Sequence, residues 1–497
     1  MSATMNSARL SLSKLDRLPS GVARPRYDVA GQKIGIVHLG IGAFHRAHQA
    51  VYVDDCLAAG ERDWAVLGAS LRSPDTRDAL APQDGLYSLI VRSGEESTVR
   101  VIGAVRGVLV APENPEALLS AMSREGVRIV SLTVTEKGYC HDPASGALRE
   151  DHPDIVRDLV DPGRPLTAPG LLVEALRRRR AAGIAPFTVL SCDNLSANGR
   201  IVGGIVARFA ELRDPDLGRF VVGEVAFPST MVDRIVPATT DADRASVDER
   251  LGLADAWPVA TEPFSQWVIE DAFSAGRPRF EEAGAELVAD VEPYEAMKLR
   301  LLNGSHSTLA YLGYLAGFET VSDAMSAPSF GRLVRGLMDE EVSPTLQVPG
   351  GADLEGYKAQ LLARFSNAAL RHRTFQIATD GSQKLPPRLL GTVRDRLRSG
   401  APIDRLALAV AGWMRFVSGR DEVGRPIELN DPMARRLRAL ADAAGADASR
   451  LASALLGVGE IFGADLPHDR RFTSAVERSL AELFEKGAAR VVDEASR

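Results

Sequence analysis

The sequence predicts an α/β fold in which a mostly parallel sheet wrapped by helices is followed by a mainly α-helical domain. Two observations carry the prediction. Up to about residue 288, short apolar β-rich runs alternate with helical stretches, and beyond it the apolar residues recur at helical period. Strands apolar on both faces and separated by helices indicate a parallel sheet covered on both sides. Repeats at i, i+3, i+4 and i+7 indicate helices that bury one stripe.

Residues 1–30 are polar and irregular and read as an N-terminal arm. IGIVHLG (34–40) is an apolar run ending in glycine, and IGAFHRAHQAVYVDDCLAA follows with helical spacing, which gives strand, tight turn, helix. Further strands are expected at WAVLGASL (64–71), LYSLIV (86–91), VRIVSLTV (127–134) and FTVLSCDN (187–194), with a helix at PGLLVEALRRRRAAG (169–183). The first domain is therefore assigned to 31–287. The helical domain, 288–497, contains EAMKLRLLNGSHSTLAYLGYLAG, SFGRLVRGLMDEEV, LEGYKAQLLARFSN and RLALAVAGWMRFVSG.

A chain of 497 residues is too long for one simple core, and its 45% hydrophobic and 25% charged residues exclude pervasive disorder. A net charge of -7 leaves no electrostatic footprint for nucleic acid. The basic run Arg177–Arg180 reads as the solvated cap of a helix C-terminus. There is no apolar stretch long enough to cross a membrane and no apolar core of a signal peptide near the start, so the cytoplasm is expected. Cys56, Cys140 and Cys192 are too scattered for a disulfide framework or a zinc ribbon, and adjacent Cys140 and His141 make a poor metal pair, so no metal is expected. The sequence leaves the oligomeric state open, a monomer included.

Only seven of the 59 lysines and arginines are lysine: Lys14, Lys33, Lys137, Lys298, Lys358, Lys384 and Lys486. Only lysine readily becomes a neutral amine when desolvated, so a lysine kept in so arginine-rich a chain invites a search for amine chemistry. Lys14, Lys33, Lys358 and Lys486 fall in the arm, ahead of the first strand or on expected helix surfaces.

Three segments carry candidate chemistry. In GIVHLGIGAFHRAHQ the strand feeds Gly40-x-Gly42 into a helix, the arrangement that cradles a dinucleotide pyrophosphate, with His45 where a third glycine would stand. Gly40, Gly42, Ala43, Phe44 and His45 are the candidate cofactor contacts. An acid closing the second strand would select NAD, but that strand ends Ser70-Leu71-Arg72, and Arg72 suits a 2′-phosphate, so NADP stays open beside NAD. In VEPYEAMKLRLLNGSH, Glu295, Lys298, Asn303 and His306 share an arc of roughly 140° on a regular helix. A base, an amide and an imidazole on one face suit removal or delivery of an alcohol proton while hydride moves at carbon; the alternative is a solvated helix face. Softer candidates are Glu136 and Lys137 in TVTEKGYC, Asn194 in SCDN, and Arg373 and Lys384 in HRTFQIATDGSQKLPPRLL, each of which also suits a turn or a cap.

Taken in order, GIGAFHRAHQ, SLTVTEKGYC, SCDN, FPSTMVDRIVP, EPFSQWVIED and MKLRLLNGSH resemble the mannitol dehydrogenase family, the zinc-independent, polyol-specific long-chain dehydrogenases, over about residues 31–485. The resemblance implies a Rossmann-type domain, a largely helical domain, an active site in the cleft between them, and NAD as the usual cofactor. By motif, Lys298 matches the general acid/base, Asn194 and Asn303 the amides that polarise the reacting oxygen, and His306 the histidine that orients substrate. Glu136 and Glu295 match acids that connect the lysine to solvent, and Asp233 and Lys384 match substrate-hydroxyl contacts. Tyr294-x-x-x-Lys298 also imitates the pair of short-chain dehydrogenases, but it lies too far from a glycine turn of a different form. Gln376 replaces an arginine of mannitol-oxidising members, and the segments around DGSQK and LNGSH look more like the fructuronate reductase branch. An anionic substrate would give Arg373, or a neighbouring cation, a carboxylate to grip. The resemblance thus implies interconversion of D-fructuronate and D-mannonate. D-mannitol/D-fructose chemistry is the alternative, and a catalytically silent dinucleotide-binding protein the remote one.

Overall fold

Strand β1 (Ile34–Leu39) alternates Ile36 and His38 with Val37 and Leu39, and all four side chains are buried. Burial on both sides follows from its place at the centre of the main sheet, where helices cover each face. The computed structural model describes residues 8–94, 96–142 and 145–497, so the first seven residues of the expected arm lie outside the described residues. The chain divides into two units, Met1–Glu292 and Pro293–Arg497.

In the first unit the remaining strands are β2 (Ala65–Ser70), β3 (Tyr87–Ser93), β4 (Glu96–Ile102), β5 (Val105–Val110), β6 (Ile129–Leu132), β7 (Thr188–Ser191), β8 (Thr230–Asp233), β9 (Val259–Thr261), β10 (Gln266–Glu270) and β11 (Glu286–Val288). Five of them form one parallel sheet in the order β5-β2-β1-β6-β7. Counted within that sheet the order is 3-2-1-4-5, the doubly wound pattern whose direction reverses between β1 and β6. Ligands bind outside the carboxyl ends of the strands at such a reversal. One face packs Val37, Leu39, Val130, Leu132 and Val189 against the helices that carry Leu172, Val206 and Phe209. The other packs Ile36, Val66, Ile129 and Leu190 against Tyr52, Trp267 and Phe280.

The strand expected at 86–91 does form, but outside that sheet. β3 pairs antiparallel with β4 and parallel with β9 in a separate three-stranded sheet. β8, β10 and β11 make a third small sheet. The described part of the expected arm is irregular yet tied down: Leu10, Leu18 and Val22 are buried against Leu86, Ile90, Val101 and Leu251, and the amide of Leu10 donates to Ala254. The arginine run is only partly a solvated cap. In helix Ala168–Ala181, Arg177 and Arg178 pair with Glu174, whereas Arg179 is buried and donates to the carbonyls of Ala185, Met122, Arg124 and Val127.

The second unit is helical and is built around Asp404–Val417, of which Leu406–Val417 is entirely buried. Helix Gly304–Leu315 and helix Arg470–Lys486 pack on it. A helix apolar all round belongs in a core. The regular amphipathic helix expected through residues 292–315 is interrupted: Glu292–Met297 is α-helical, Lys298–Asn303 is one π-helical stretch, and Gly304–Leu315 is α-helical again. Two more π-helical stretches, Leu337–Val342 and Pro386–Leu390, pack against the first. Lys358 corrects one expectation. It is not a surface lysine but is buried between Asp339 and Glu355, which hold its ammonium protonated. No helix among the described residues is long and apolar enough to cross a membrane.

Candidate active site

The glycine turn sits where the sheet reverses. Gly40 has φ +93°, and a Cβ there would lie 2.2 Å from the carbonyl oxygen of Thr133. Its N–H donates to Ala69 on β2 at 2.9 Å, and its carbonyl accepts from the Thr133 hydroxyl beyond β6 at 2.9 Å. Only glycine meets both the conformation and the close approach. Gly42 differs, being extended (φ -94°, ψ -170°) and exposed, with no foreign atom nearer than 3.8 Å to a Cβ built on it. Its openness leaves room for a ligand's phosphates to approach the backbone.

Ala43 opens the helix Ala43–Ala47, which breaks at His48 and restarts as Gln49–Ala58. Phe44, half-buried, stacks on His48 with ring centroids 5.2 Å apart. His45 is turned inward and stacks on His38 at 3.5 Å and 15°. A cofactor contact from His45 is thereby limited to its backbone. His38 in turn hydrogen-bonds Ser131 Oγ and Thr133 Oγ1, each at 2.8 Å, so a histidine inside β1 ties it to β6 beside the turn. Burial holds His38 down at about 3 and His45 well below the ordinary imidazole range. Arg72 is exposed just past β2, while the nearby carboxylate of Asp75 accepts from Ser73 Oγ at 2.8 Å.

Glu136 and Asn194 lie on two loops leaving the carboxyl ends of β6 and β7, and both are exposed. Asp193, not singled out in the sequence, joins these loops. Its carboxylate accepts from the amides of Val134 at 3.1 Å and Thr135 at 2.9 Å and from Tyr139 Oη at 2.7 Å. Burial raises the Asp193 carboxyl, and those three donors oppose the shift. Asn198, fully buried, donates to the carbonyls of Asp193 and Thr230 at 3.0 Å and accepts from the Thr230 amide at 2.9 Å. The loop bearing Asn194 is therefore locked to β8, whose last residue, Asp233, is buried.

In the second unit the π-helical stretch carries Lys298 and Asn303. Lys298 is 7% exposed, Asn303 and Glu295 are half-buried, and His306 on the next turn is 7% exposed. A π turn bonds i to i+5, so it rotates less per residue than the regular helix assumed from the sequence. Lys298 and Asn303, which bound that stretch, are therefore brought closer in azimuth than a uniform wheel gives. The distortion is pinned from outside. Arg300 pairs with Asp395 at 2.5 Å and Thr345 Oγ1 at 2.9 Å, and a Cβ on Gly304 would lie 2.8 Å from the carbonyl oxygen of Arg388.

The ring of His306 meets Phe365 (ring centroids 5.3 Å) and His372 (4.7 Å, edge to face), and the charges of Arg388, Arg364 and Lys384 act on it. Arg388 Nη1 lies 3.2 Å from the hydroxyl of Ser307, next to His306. Lys384 donates to the Ile377 carbonyl at 3.2 Å and to Thr379 Oγ1 at 3.3 Å. Burial first, then these neighbouring charges, hold His306 well below its ordinary value; burial and Lys384 bring His372 to about 4. Arg373 is placed apart from this group in bonding terms: it is two-thirds exposed and pairs with Glu319 at 2.9 Å. Gln376 is exposed.

A backbone signal invisible in the sequence marks the same segments. Seven described non-glycine residues have positive φ, and five of them are Thr135, Cys140, Ala197, Arg371 and Asp380. These flank Glu136, Asn194, His372 and Lys384. A β-branched residue such as Thr135 at φ 66° is held there only by its surroundings, and such strain gathers where side chains must be aimed. No group of three or more His, Cys, Asp or Glu suited to a metal ion occurs among the described residues.

Comparison with known proteins agrees with this architecture. Residues 34–282 match the mannitol dehydrogenase Rossmann domain and residues 290–484 the mannitol dehydrogenase C-terminal domain. The chain is 47% identical over 477 residues to D-mannonate oxidoreductase of Escherichia coli (strain K12), covering 95% of this chain and 97% of that protein. It is 43% identical over 464 residues to mannitol 2-dehydrogenase of Aspergillus fumigatus, covering 92% and 91%. Among solved structures it is similar to Pseudomonas fluorescens mannitol 2-dehydrogenase in a ternary complex with NAD and D-mannitol, at 40% identity and a TM-score of 0.88, covering 98% of this chain and 99% of that one. With both family domains matched in order, on a doubly wound sheet followed by a helical unit, the chain belongs to the mannitol dehydrogenase family of oxidoreductases.

Proposed function

We propose that the protein is an NAD(H)-dependent, zinc-independent reductase of a keto hexuronate, interconverting D-fructuronate and D-mannonate in the cytoplasm. The observation that carries the substrate class is the group of cations, Arg388, Arg364 and Lys384, whose charges act on His306, with Arg388 Nη1 3.2 Å from Ser307 Oγ next to it. Cations grouped in this way are complementary to a substrate carboxylate. The 47% identity to a D-mannonate oxidoreductase supports the same choice. D-mannitol/D-fructose chemistry is the second reading, favoured by the likeness to a mannitol 2-dehydrogenase that binds NAD and D-mannitol.

The first unit suits a dinucleotide because Gly40 forms the turn and exposed Gly42 and Ala43 leave backbone open to a pyrophosphate. NAD(H), when bound, supplies or takes the hydride. Lys298, buried on its π turn, gives its proton to the carbonyl oxygen in reduction and takes it from the hydroxyl in oxidation. The Asn303 and Asn194 amides donate to that oxygen as its negative charge grows. His306, held neutral and wedged between Phe365 and His372, orients the substrate. Asp233 and Lys384 take substrate hydroxyls, and Glu295 and Glu136 return protons from water to the lysine. NADH oxidation with D-fructuronate and D-fructose, assayed side by side, tests the reading. A higher kcat/KM for fructuronate is expected, and a tenfold preference for fructose would reject the hexuronate.

A further inference from the structure

We propose that Asp193 is a positioning residue that aims Glu136, by clamping the loop after β6 at both ends with one carboxylate. The inference rests on the reading of Glu136 as an acid that passes protons between water and the catalytic lysine. Oδ1 of Asp193 accepts from the Thr135 amide at 2.9 Å, and Oδ2 accepts from the Val134 amide at 3.1 Å and from Tyr139 Oη at 2.7 Å. Between these anchors lies Glu136, exposed, at the start of the single 3-10 turn Glu136–Tyr139. Tyr139 is fully buried, and its hydroxyl oxygen is also 2.9 Å from Ser191 Oγ at the end of β7. Because Tyr139 gives its only hydroxyl proton to Asp193, Ser191 is the donor in that second bond.

The turn needs such a clamp. Thr135 has φ 66° and ψ 163°, a region that essentially only glycine occupies without strain. Its conformation is fixed from both sides: the N–H is held by Asp193, and the carbonyl accepts from the Gly138 amide at 2.9 Å, which closes the turn on Glu136. Without the carboxylate, Thr135 relaxes toward an ordinary conformation of a β-branched residue, and the direction in which Glu136 leaves the loop changes with it. The neighbouring loop that bears Asn194 does not depend on that carboxylate. It is held through the main chain, where the Asp193 carbonyl accepts from Asn198 Nδ2 at 3.0 Å and from the Leu195 amide at 2.9 Å. Loss of the side-chain charge therefore disturbs Glu136 and leaves Asn194 held, which separates the two groups experimentally.

The test compares wild type with Asp193→Asn, which keeps the size but loses one acceptor oxygen, Tyr139→Phe, which keeps both amide bonds, Glu136→Gln, and the double variant Glu136→Gln/Asp193→Asn. Hydrogen exchange of the ligand-free enzyme, read by mass spectrometry over residues 133–140, reports the clamp without turnover. A hydrogen bond to a charged group is worth about 10- to 150-fold, so Asp193→Asn should speed exchange there by about that factor, and Tyr139→Phe by less. The pH profile of kcat is then measured with NADH on whichever of D-fructuronate and D-fructose wild type reduces faster. Asp193→Asn should lower kcat and change the same limb of the profile as Glu136→Gln, with KM for NADH unchanged. The double variant should be no slower than the slower single variant, because Asp193 acts through Glu136. If Asp193→Asn does not fold, Tyr139→Phe reads the same quantities at smaller size. Losses that multiply in the double variant, a wild-type pH profile in Asp193→Asn, or unchanged exchange would overturn the positioning role while leaving Glu136 its own. A wild-type rate and profile in Glu136→Gln would instead overturn the relay reading, and the clamp's part in the reaction with it.

Discussion

Replacing Gly40 and Gly42 separately with alanine distinguishes a glycine the fold needs from a glycine a cofactor needs. At Gly40 the new Cβ would stand 2.2 Å from the Thr133 carbonyl oxygen and 2.8 Å from its carbon, with φ at +93°. The conformation costs about 1–3 kcal/mol and the overlap with backbone about 1–3 kcal/mol more, so Gly40→Ala should lose about 2–6 kcal/mol without any cofactor present. At Gly42 the nearest foreign atom is 3.8 Å away and φ is -94°, which suits alanine. Shedding unfolded-state freedom there should stabilise by about 0.4–1 kcal/mol. The assay is a melt of each ligand-free variant paired with an NADH titration followed by fluorescence. Gly42→Ala should melt no lower than wild type yet bind NADH at least ten times more weakly, a cost of about 1.4 kcal/mol from a methyl where the pyrophosphate meets backbone. Wild-type affinity in Gly42→Ala would refute the cofactor cradle. Wild-type stability in Gly40→Ala would refute the packing of the turn.

Three further outcomes are expected. Lys298→Ala should abolish turnover while NADH binding stays within about threefold of wild type, whereas loss of binding would contradict a proton-transfer role. His38 takes up its proton more readily unfolded, near 6.5, than folded, near about 3, so stability is full above pH 6.5 and falls as the pH drops through that window. The loss is about 2 kcal/mol at pH 5 from His38 alone, with His45 and His306 acting in the same direction; a His38→Asn variant should show a shallower acid dependence of melting, and an equal one would contradict it. Arg72→Asp should reduce NADPH efficiency more than NADH efficiency if Arg72 meets the adenosine ribose, and an equal loss would place that ribose elsewhere.

Much of this was legible because parallel strands bury both faces. IGIVHLG, WAVLGASL, VRIVSLTV and FTVLSCDN stand out as apolar runs and became β1, β2, β6 and β7. β5, VRGVLV, passed unnoticed because four of its six residues are only half-buried at the sheet edge. LYSLIV read like a sheet strand because no local pattern says that it turns back as the β3–β4 hairpin of another sheet. The helix after the glycine turn looked continuous, but the stacking of His45 on His38 and of His48 on Phe44 accompanies a break at His48. Lys298, Asn303 and His306 were visible as a polar arc. The π turn beneath them was not, since a wheel assumes one rotation per residue and the distortion is set by Arg300, Asp395 and the approach of Arg388 to Gly304. Asp193 and Asn198 were missed for a related reason: their partners lie dozens of residues away, past the end of β6 and on β8.

Following the hydride tests the proposed reaction most directly. Wild-type enzyme is given D-fructuronate and NADH dideuterated at nicotinamide C4, and the product is examined by mass spectrometry and NMR. The expected product is D-mannonate carrying one deuterium at the carbon that was the ketone, formed by wild type and absent with Lys298→Ala. Unlabelled product, label at another carbon, or a labelled alcohol from D-fructose alone would contradict it.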